Sequence, residues 1–353
     1  MKYIYPLVIL IIILSSCGTS TNLLTISVRN PASITFPPEV TSIVIVDNSP
    51  PYKEDDNHDH DHDNKSKTGE QTILTGDSSR TLLLKSLQQF MSEESYFNKV
   101  ELYPYKTNNS AAETVVPLSK RKVQAICIER GADALIALDL FTISAQIETE
   151  NTGYFSNYSI LGTKLGLLVR AYSNIGNQYG EPIVLLDSLF REESTDWSRL
   201  KSNVPEINSL ITEMSVVGAD KLTGKFIPSW QTQERWYYSN SSSKMKEADK
   251  LVRQAKWKEA ADIWNSLYQQ ERNTKKKIRL AFNIALANEY LDDIENALSW
   301  IKSAYDLLPQ KSDDDLYLQV MKYKQILEKR EKTMPVLYKQ LGIEEIQEIE
   351  DVE

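Results

Sequence analysis

Histidine is almost missing from this chain: three of its 353 residues are His, and they stand at His58, His60 and His62. Imidazole is the side chain that titrates near neutral pH. Its absence elsewhere leaves every expected helix and strand without the commonest general base. Cysteine is nearly as scarce, with two residues, Cys17 and Cys127. If Cys17 is consumed by modification, no intrachain disulfide can form. Cys127 lies in Ala125-Ile126-Cys127-Ile128, the setting of a buried small hydrophobe rather than of a reactive thiol. Basic residues are outnumbered, 40 Lys and Arg against 49 Asp and Glu, for a formal charge of −9. Nucleic-acid binding rests on clustered Lys and Arg, so an evenly acidic body argues against it. Glycine-rich phosphate loops, a G-x-S-x-G elbow and zinc-like Cys or His spacings are also missing. These gaps predict a protein that is not an enzyme, with no catalytic residues and no cofactor.

What the chain does have begins at its start. Lys2 precedes the apolar run Pro6 to Leu14, too short for a spanning helix, which needs roughly 20 apolar residues. It has the length of a signal-peptide core, about 7–15 residues. Leu14-Ser15-Ser16-Cys17 resembles a bacterial lipobox. That resemblance implies a signal peptide over residues 1–16, cleavage before Cys17, and acylation of the Cys17 thiol and amino group. The remainder, 17–23, reads as a lipidated tether. Two or three acyl chains anchor stably, each buried methylene contributing about 0.8 kcal/mol. Gly18 and Thr19 follow the Cys, with neither an adjacent Asp nor an acidic cluster. By the same resemblance, the expected address is the outer membrane, facing the periplasm.

Residues 24–235 read as an α/β sheet domain. Leu23–Arg29 and Ser42–Asp47 are β-branched runs, the second apolar enough for a central strand. Asp77 or Ser78 can cap a helix ending near Ser92, and Lys99–Tyr103 is a short strand. A helix over Ser119–Arg130 stops at Gly131. Alternation over Ala134–Glu148, Ile160–Ser173 and Ile183–Phe190 predicts three strands in an antiparallel meander, and Glu206–Leu222 predicts a helix. This order, with Gly131-Ala132-Asp133 leading into a strand, resembles the amino-terminal domain of the Tol-system propeller protein and the curli-secretion lipoproteins.

Residues 48–70 interrupt the domain with a polar, proline-bearing stretch expected to be a disordered loop. It holds His58-Asp59-His60-Asp61-His62-Asp63. In an extended chain the three imidazoles fall on one side and Asp59 and Asp61 on the other. Imidazole with carboxylate suits a divalent transition metal. A loop lacks the surrounding hydrogen bonds that hold metal ligands, so a solvated polar insertion is the plainer reading.

Trp230, Trp236, Tyr237 and Tyr238 form an aromatic seam before the serines at 239–243. Such rings can stack on a glycan, but packing between two domains is the stronger expectation. Beyond Ser243 no strand signal remains, and helices are expected at 243–254, 257–270, 276–290, 294–308 and 313–332, before an acidic tail at 333–353. Trp257, Ala260, Trp264 and Leu267 repeat as Ile294, Ala297, Ile301 and Ala304. This resembles the tetratricopeptide pattern, which implies a surface that receives a partner protein.

The fold class is therefore α+β: a mixed α/β sheet domain with an antiparallel meander, followed by an all-α tetratricopeptide-like helical-repeat domain at 243–332. Taken whole, the chain resembles Bacteroidota lipoproteins of unknown function, through Leu14-Ser15-Ser16-Cys17, Gly131-Ala132-Asp133, Pro228-x-Trp230-x4-Arg235 and the Ala260 and Ala297 repeats. The resemblance implies a lipid-anchored, non-catalytic scaffold that meets an envelope protein through its helical repeats. A ligand-binding lipoprotein is the rival, taking metal at His58–Asp63 or a glycan on the seam. Cells grown on labelled palmitate are expected to label the wild-type protein and not the Cys17→Ala variant, which should leave the membrane pellet.

Overall fold

The computed structural model describes residues 20–50, 73–74, 77–108, 114–151, 157–193, 204–309 and 314–343. The expectations for the signal, Cys17, the His58–Asp63 run and the end of the acidic tail lie outside these residues. Two compact units divide the chain: Pro31–Ser229 with Gln340–Ile343, and Met1–Asn30 with Trp230–Lys339 and Glu344–Glu353. Among the described residues no helix is long and apolar enough to cross a membrane.

The first unit is a mixed sheet with helices on both faces. Its strands are β2 (Ser42–Asp47), the short β3 (Ile73–Leu74), β4 (Lys99–Leu102), β5 (Ala134–Asn151), β6 (Asn157–Ser173) and β7 (Gln178–Glu193). The order is β4-β2-β5-β6-β7, with β3 paired to β5 off that path. β2 runs parallel to β4 and β5, while β5, β6 and β7 form the expected antiparallel meander. β2 is central because both its faces are covered. Ile43 and Ile45 join the core with Leu83, Leu87 and Met91 of α1 (Asp77–Glu93) and Met214 and Leu222 of α3 (Val204–Phe226). Val44 and Val46 pack oppositely, with Val123, Ile126 and Cys127 of α2 (Lys120–Arg130). Burial pushes the Cys127 thiol up to about 11, so it serves as a core residue. Gly218 in α3 lets the helix lie close to β6, since a Cβ there would sit 2.4 Å from a methyl of Leu165.

Ser119 caps α2 by accepting from the Lys122 amide, and Gly131 ends it in the left-handed region at φ 58°. Two residues on, Asp133 accepts from the Thr41 and Ser42 amides at 3.0 and 2.9 Å and from the Ser42 hydroxyl at 2.8 Å. This carboxylate ties the entry of β5 to the entry of β2 and sets their parallel register.

The second unit holds β1 (Ser20–Asn30), β8 (Ser229–Ser239, from Trp230 onward) and helices α4 (Ser243–Arg253), α5 (Trp257–Gln270), α6 (Thr274–Tyr290), α7 (Ile294–Asp306) and α8 (Asp315–Leu341). The repeat read from sequence is a repeat of helical hairpins. Ala255 and Asp292 both take positive φ, 57° and 63°, in the turns α4–α5 and α6–α7. Each turn closes with an equivalent backbone bond, Lys256 N to Leu251 O and Asp293 N to Asn288 O, both 2.9 Å. Trp257, Ala260 and Trp264 are buried on α5, and Ile294, Ala297 and Ile301 on α7.

Several boundaries differ from expectation. β1 pairs with β8 in a separate two-stranded sheet and does not join the α/β sheet. Residues 20–23, expected as tether, belong to that strand, and the serines at 239–243 are a short turn in which Ser242 caps α4. Asn48 and Ser49, placed in the disordered loop, are buried and hydrogen-bonded. The last helix continues through Pro335 to Leu341 because Met334 and Leu337 keep an apolar face to bury. Gln340 belongs to the first unit, where its amide exchanges hydrogen bonds with Ala32 N and O at 2.9 and 3.1 Å.

Hydrogen bonds, first from the Ser42 hydroxyl and then from the Thr41 and Ser42 amides, hold the Asp133 carboxyl below its usual range against the opposing effect of burial. A depressed carboxylate stabilises the fold above its unfolded pKa, and the benefit disappears as pH falls through its folded value. Asp133→Ala should cost about 1–2 kcal/mol at neutral pH, the low end for a part-exposed acceptor. Urea unfolding should show the gap from wild type closing below about pH 4.

Candidate binding sites

Strand β8 is the occupant of the helical unit. Tyr238 donates its backbone N–H to Asn283 Oδ1 at 2.8 Å, and Asn283 Nδ2 returns a bond to Tyr238 O at 2.7 Å. A fully buried side-chain amide on α6 thus stands in for a neighbouring strand. The rings follow the backbone inward: Trp236 lies 5.6 Å from Phe282, Tyr238 5.3 Å from Phe282 and Tyr237 6.1 Å from Trp264. Tyr237 donates its hydroxyl to Asp249 on α4, and Tyr238 to Gln319 on α8. Burial raises the titration of both phenols, Tyr238 to about 12. The aromatic seam is therefore packing within the helical unit. Of its four rings, Trp230 alone is largely exposed, at 63%, beneath the Arg29 guanidinium.

Arg235 locks this arrangement. It is 3% exposed and donates Nε and Nη2 to the two oxygens of Glu289 at 2.8 and 2.7 Å. Glu289, 2% exposed, also accepts the Tyr323 hydroxyl at 2.7 Å and a longer bond from Arg330 at 3.3 Å. Burial alone would lower the Arg235 pKa, but the bonds to Glu289 and its charge outweigh that and raise it. Tyr323, pushed well up by burial and then by the Glu289 charge, remains a neutral donor. A sequence signal for Glu289 existed. It falls four residues after Ala285 and seven after Phe282, on the buried face of an otherwise apolar helix.

In the α/β unit a second polar cluster sits at the carboxyl end of β2, where its pairing with β5 stops at Asp47 and Leu138 while β5 runs on. Asp139 and Arg170 pair across adjoining β-bulges in β5 and β6. Asn48 Nδ2 donates to Asp139 at 2.6 Å, and the Thr107 hydroxyl donates to Asn48 Oδ1 at 2.8 Å. Arg80, 5% exposed, holds Asp47 at 2.8 Å and Asp77 at 2.5 Å. Burial raises the Asp139 pKa in spite of Asn48 and Arg170. These groups face one another, and their geometry ties the end of β2 to the interior of β5 and β6. Asp77, expected as an N-cap, lies in the first turn of α1 and holds Arg80.

The predicted metal residues His58, His60, His62, Asp59 and Asp61, and the lipidation residue Cys17, lie outside the described residues. Among those described, no group of three or more His, Cys, Asp or Glu is placed to hold a metal ion. Two surface features were not read from sequence. One is a cavity of about 740 Å³ beside β1, lined by Leu23, Leu24, Arg253, Trp257 and Tyr290. The other is the outer face of β7, where Val184, Leu186 and Phe190 are 64, 79 and 57% exposed.

Residues 40–238 match the family described as Domain of unknown function (DUF8603), and residues 246–329 match Domain of unknown function (DUF6340). No curated protein matches the chain. A minor lipoprotein from Acinetobacter baumannii is 12% identical, covering 52% of this chain and 88% of its own, at a TM-score of 0.26. Lipoprotein GNA1162 from Neisseria meningitidis is 12% identical, covering 50 and 98%, at a TM-score of 0.22. A neuraminyllactose-binding hemagglutinin homolog from Helicobacter pylori is 15% identical, covering 54 and 86%, at a TM-score of 0.28. These likenesses are remote in sequence and in superposition, and none bears on what this chain does.

Removing the Glu289 carboxylate strands a buried guanidinium. Glu289→Ala should cost about 3–5 kcal/mol, read as a lowered urea midpoint together with exposure of Trp236 in fluorescence.

Proposed function

The chain belongs to the family described as Domain of unknown function (DUF8603), and from that premise we propose a lipid-anchored, non-catalytic binding protein of the cell envelope. The anchor is Cys17, supported by Leu14-Ser15-Ser16-Cys17. The address is the outer membrane, facing the periplasm, supported by the residues after that Cys. The helical hairpins resemble tetratricopeptide pairs, but the chain's own β8 lies across α4, α6 and α8. A partner therefore docks elsewhere.

The observation that carries the binding role is the face of β7. Val184, Leu186 and Phe190 alternate with the core residues Ile183 and Leu185, so all three project from the sheet opposite α1 and α3. Leu168 and Leu140, half-buried, extend the strip across β6 and β5 through the pairs Val184–Leu168 and Leu168–Leu140. Among the described residues β7 is an edge strand, with β6 as its neighbour. Ser188, paired with Lys164, separates Phe190 from the rest, but an exposed apolar strip on a sheet edge comes at a cost to solubility, and such patches mark interaction sites. The occupant is a protein presenting an apolar strand or helix, held without chemistry. The buried charges support that reading, because Arg235, Glu289, Asp139 and Arg80 are all paired within the chain.

A photo-reactive residue placed at Leu186 in living cells should yield one dominant protein adduct. Val184→Asp should abolish it while leaving the unfolding midpoint unchanged. An adduct indifferent to that substitution, or no adduct, would overturn the reading.

A further inference from the structure

The cavity beside β1 combines features that the folded unit does not use. In β1 the inward set, Leu24, Ile26 and Val28, is half-buried or buried. The outward set is polar, Thr21, Thr25, Ser27 and Arg29, except for Leu23, which is 75% exposed. Leu23 lines the cavity with Trp257 and Tyr290, whose rings stack at 4.5 Å and 24°. Tyr290 and the adjacent Leu291 are 43 and 49% exposed. Arg253 stands at the rim with its side chain 73% exposed, in an ion pair to Asp249 at 3.0 Å. Such an exposed pair contributes little to stability, so a change of partner costs the fold little. Lys250 on α4, Lys256 in the following turn and Lys258 at the start of α5, all exposed, flank it. This is a local basic cluster in a chain of net charge −9.

Position decides the occupant. Thr21, the first residue lining the cavity, is four residues from Cys17, a span of at most ~14 Å when fully extended. If Cys17 carries acyl chains, its thiol sits at the boundary between headgroups and hydrocarbon, and each headgroup layer is about 5–8 Å deep. Thr21 then stands no more than about 9 Å beyond the headgroup layer, which keeps this side of the cavity near the membrane surface. Aromatic rings with one polar end, an aliphatic side chain in water and an exposed guanidinium are the groups that suit that layer.

We propose that this cavity binds a phospholipid of the leaflet that carries the anchor. Arg253 receives the phosphate through charge-assisted hydrogen bonds. Tyr290, stacked on the buried Trp257, and Leu23 lie against the glycerol and first methylenes. The inference rests on acylation at Cys17 for its geometry, and it makes the anchor bidentate: covalent lipid on one side, a gripped neighbour on the other.

The test uses the processed chain from residue 17 onward carrying Cys17→Ser, so that no covalent lipid contributes. Flotation with vesicles of phosphatidylethanolamine mixed with phosphatidylglycerol should carry the protein upward. The double variant Leu23→Glu and Arg253→Glu should weaken partitioning by about tenfold or more. Both positions are exposed, and an unchanged urea midpoint confirms the fold. A chain that stays at the bottom of the gradient overturns the proposal, as does a double variant that floats equally well. So does a cavity filled by a peptide or a second copy, seen as crosslinks from Leu23 to protein instead of lipid. Palmitate labelling of wild-type cells reports the anchor separately. Loss of flotation with labelling intact therefore rejects the site and spares the anchor.

Discussion

A buried guanidinium cannot stand alone, and the fork between Arg235 and Glu289 is the constraint on which the helical unit rests. Its desolvation is offset only while both oxygens, the Tyr323 hydroxyl and Arg330 remain in place. Those partners come from β8, α6 and α8, segments far apart in sequence. The fork therefore does more than add stability. It fixes where the strand crosses the helices, and the Asn283 amide then fixes its register.

A consequence follows for how this protein meets others. Helical hairpins normally offer a face to an incoming segment, and here the chain supplies that segment itself. Among the places where apolar surface remains in water are the β7 strip and the start of β1. Each has a different chemistry. The strip is apolar and carries no charge of its own, whereas the cavity sets a cation beside stacked rings, so the two suit a protein and a lipid respectively.

The α/β unit uses the same device on a smaller scale. Asp139 is the extra residue of a bulge in β5, which turns its side chain away from the pleat, and Arg170 sits where the β6–β7 register shifts. Asn48 and Thr107 complete the set. Asp133, two residues after the left-handed Gly131, joins the starts of β2 and β5. Polar residues in both units bring distant strands and helices into register, and apolar area supplies the driving force.

Local order was legible in the amino acids alone. Ser119 and Gly131 bounded a helix, alternation along Phe141, Thr142 and Ile143 marked a half-buried strand, and Ala260 and Ala297 revealed the doubled hairpin. Each signal lies within a few residues, where periodicity and capping act. Tertiary structure alone decided that β1 leaves the sheet to join β8, that the aromatic seam turns into the helices, and that Leu23 and Leu186 remain in water. A hydrophobic pattern states which face of a strand is buried; it carries no record of which distant segment buries it. Glu289 shows the limit most clearly, because its helical phase places it inside while its charge argues for outside. Only the arrival of Arg235 from another element reconciles the two.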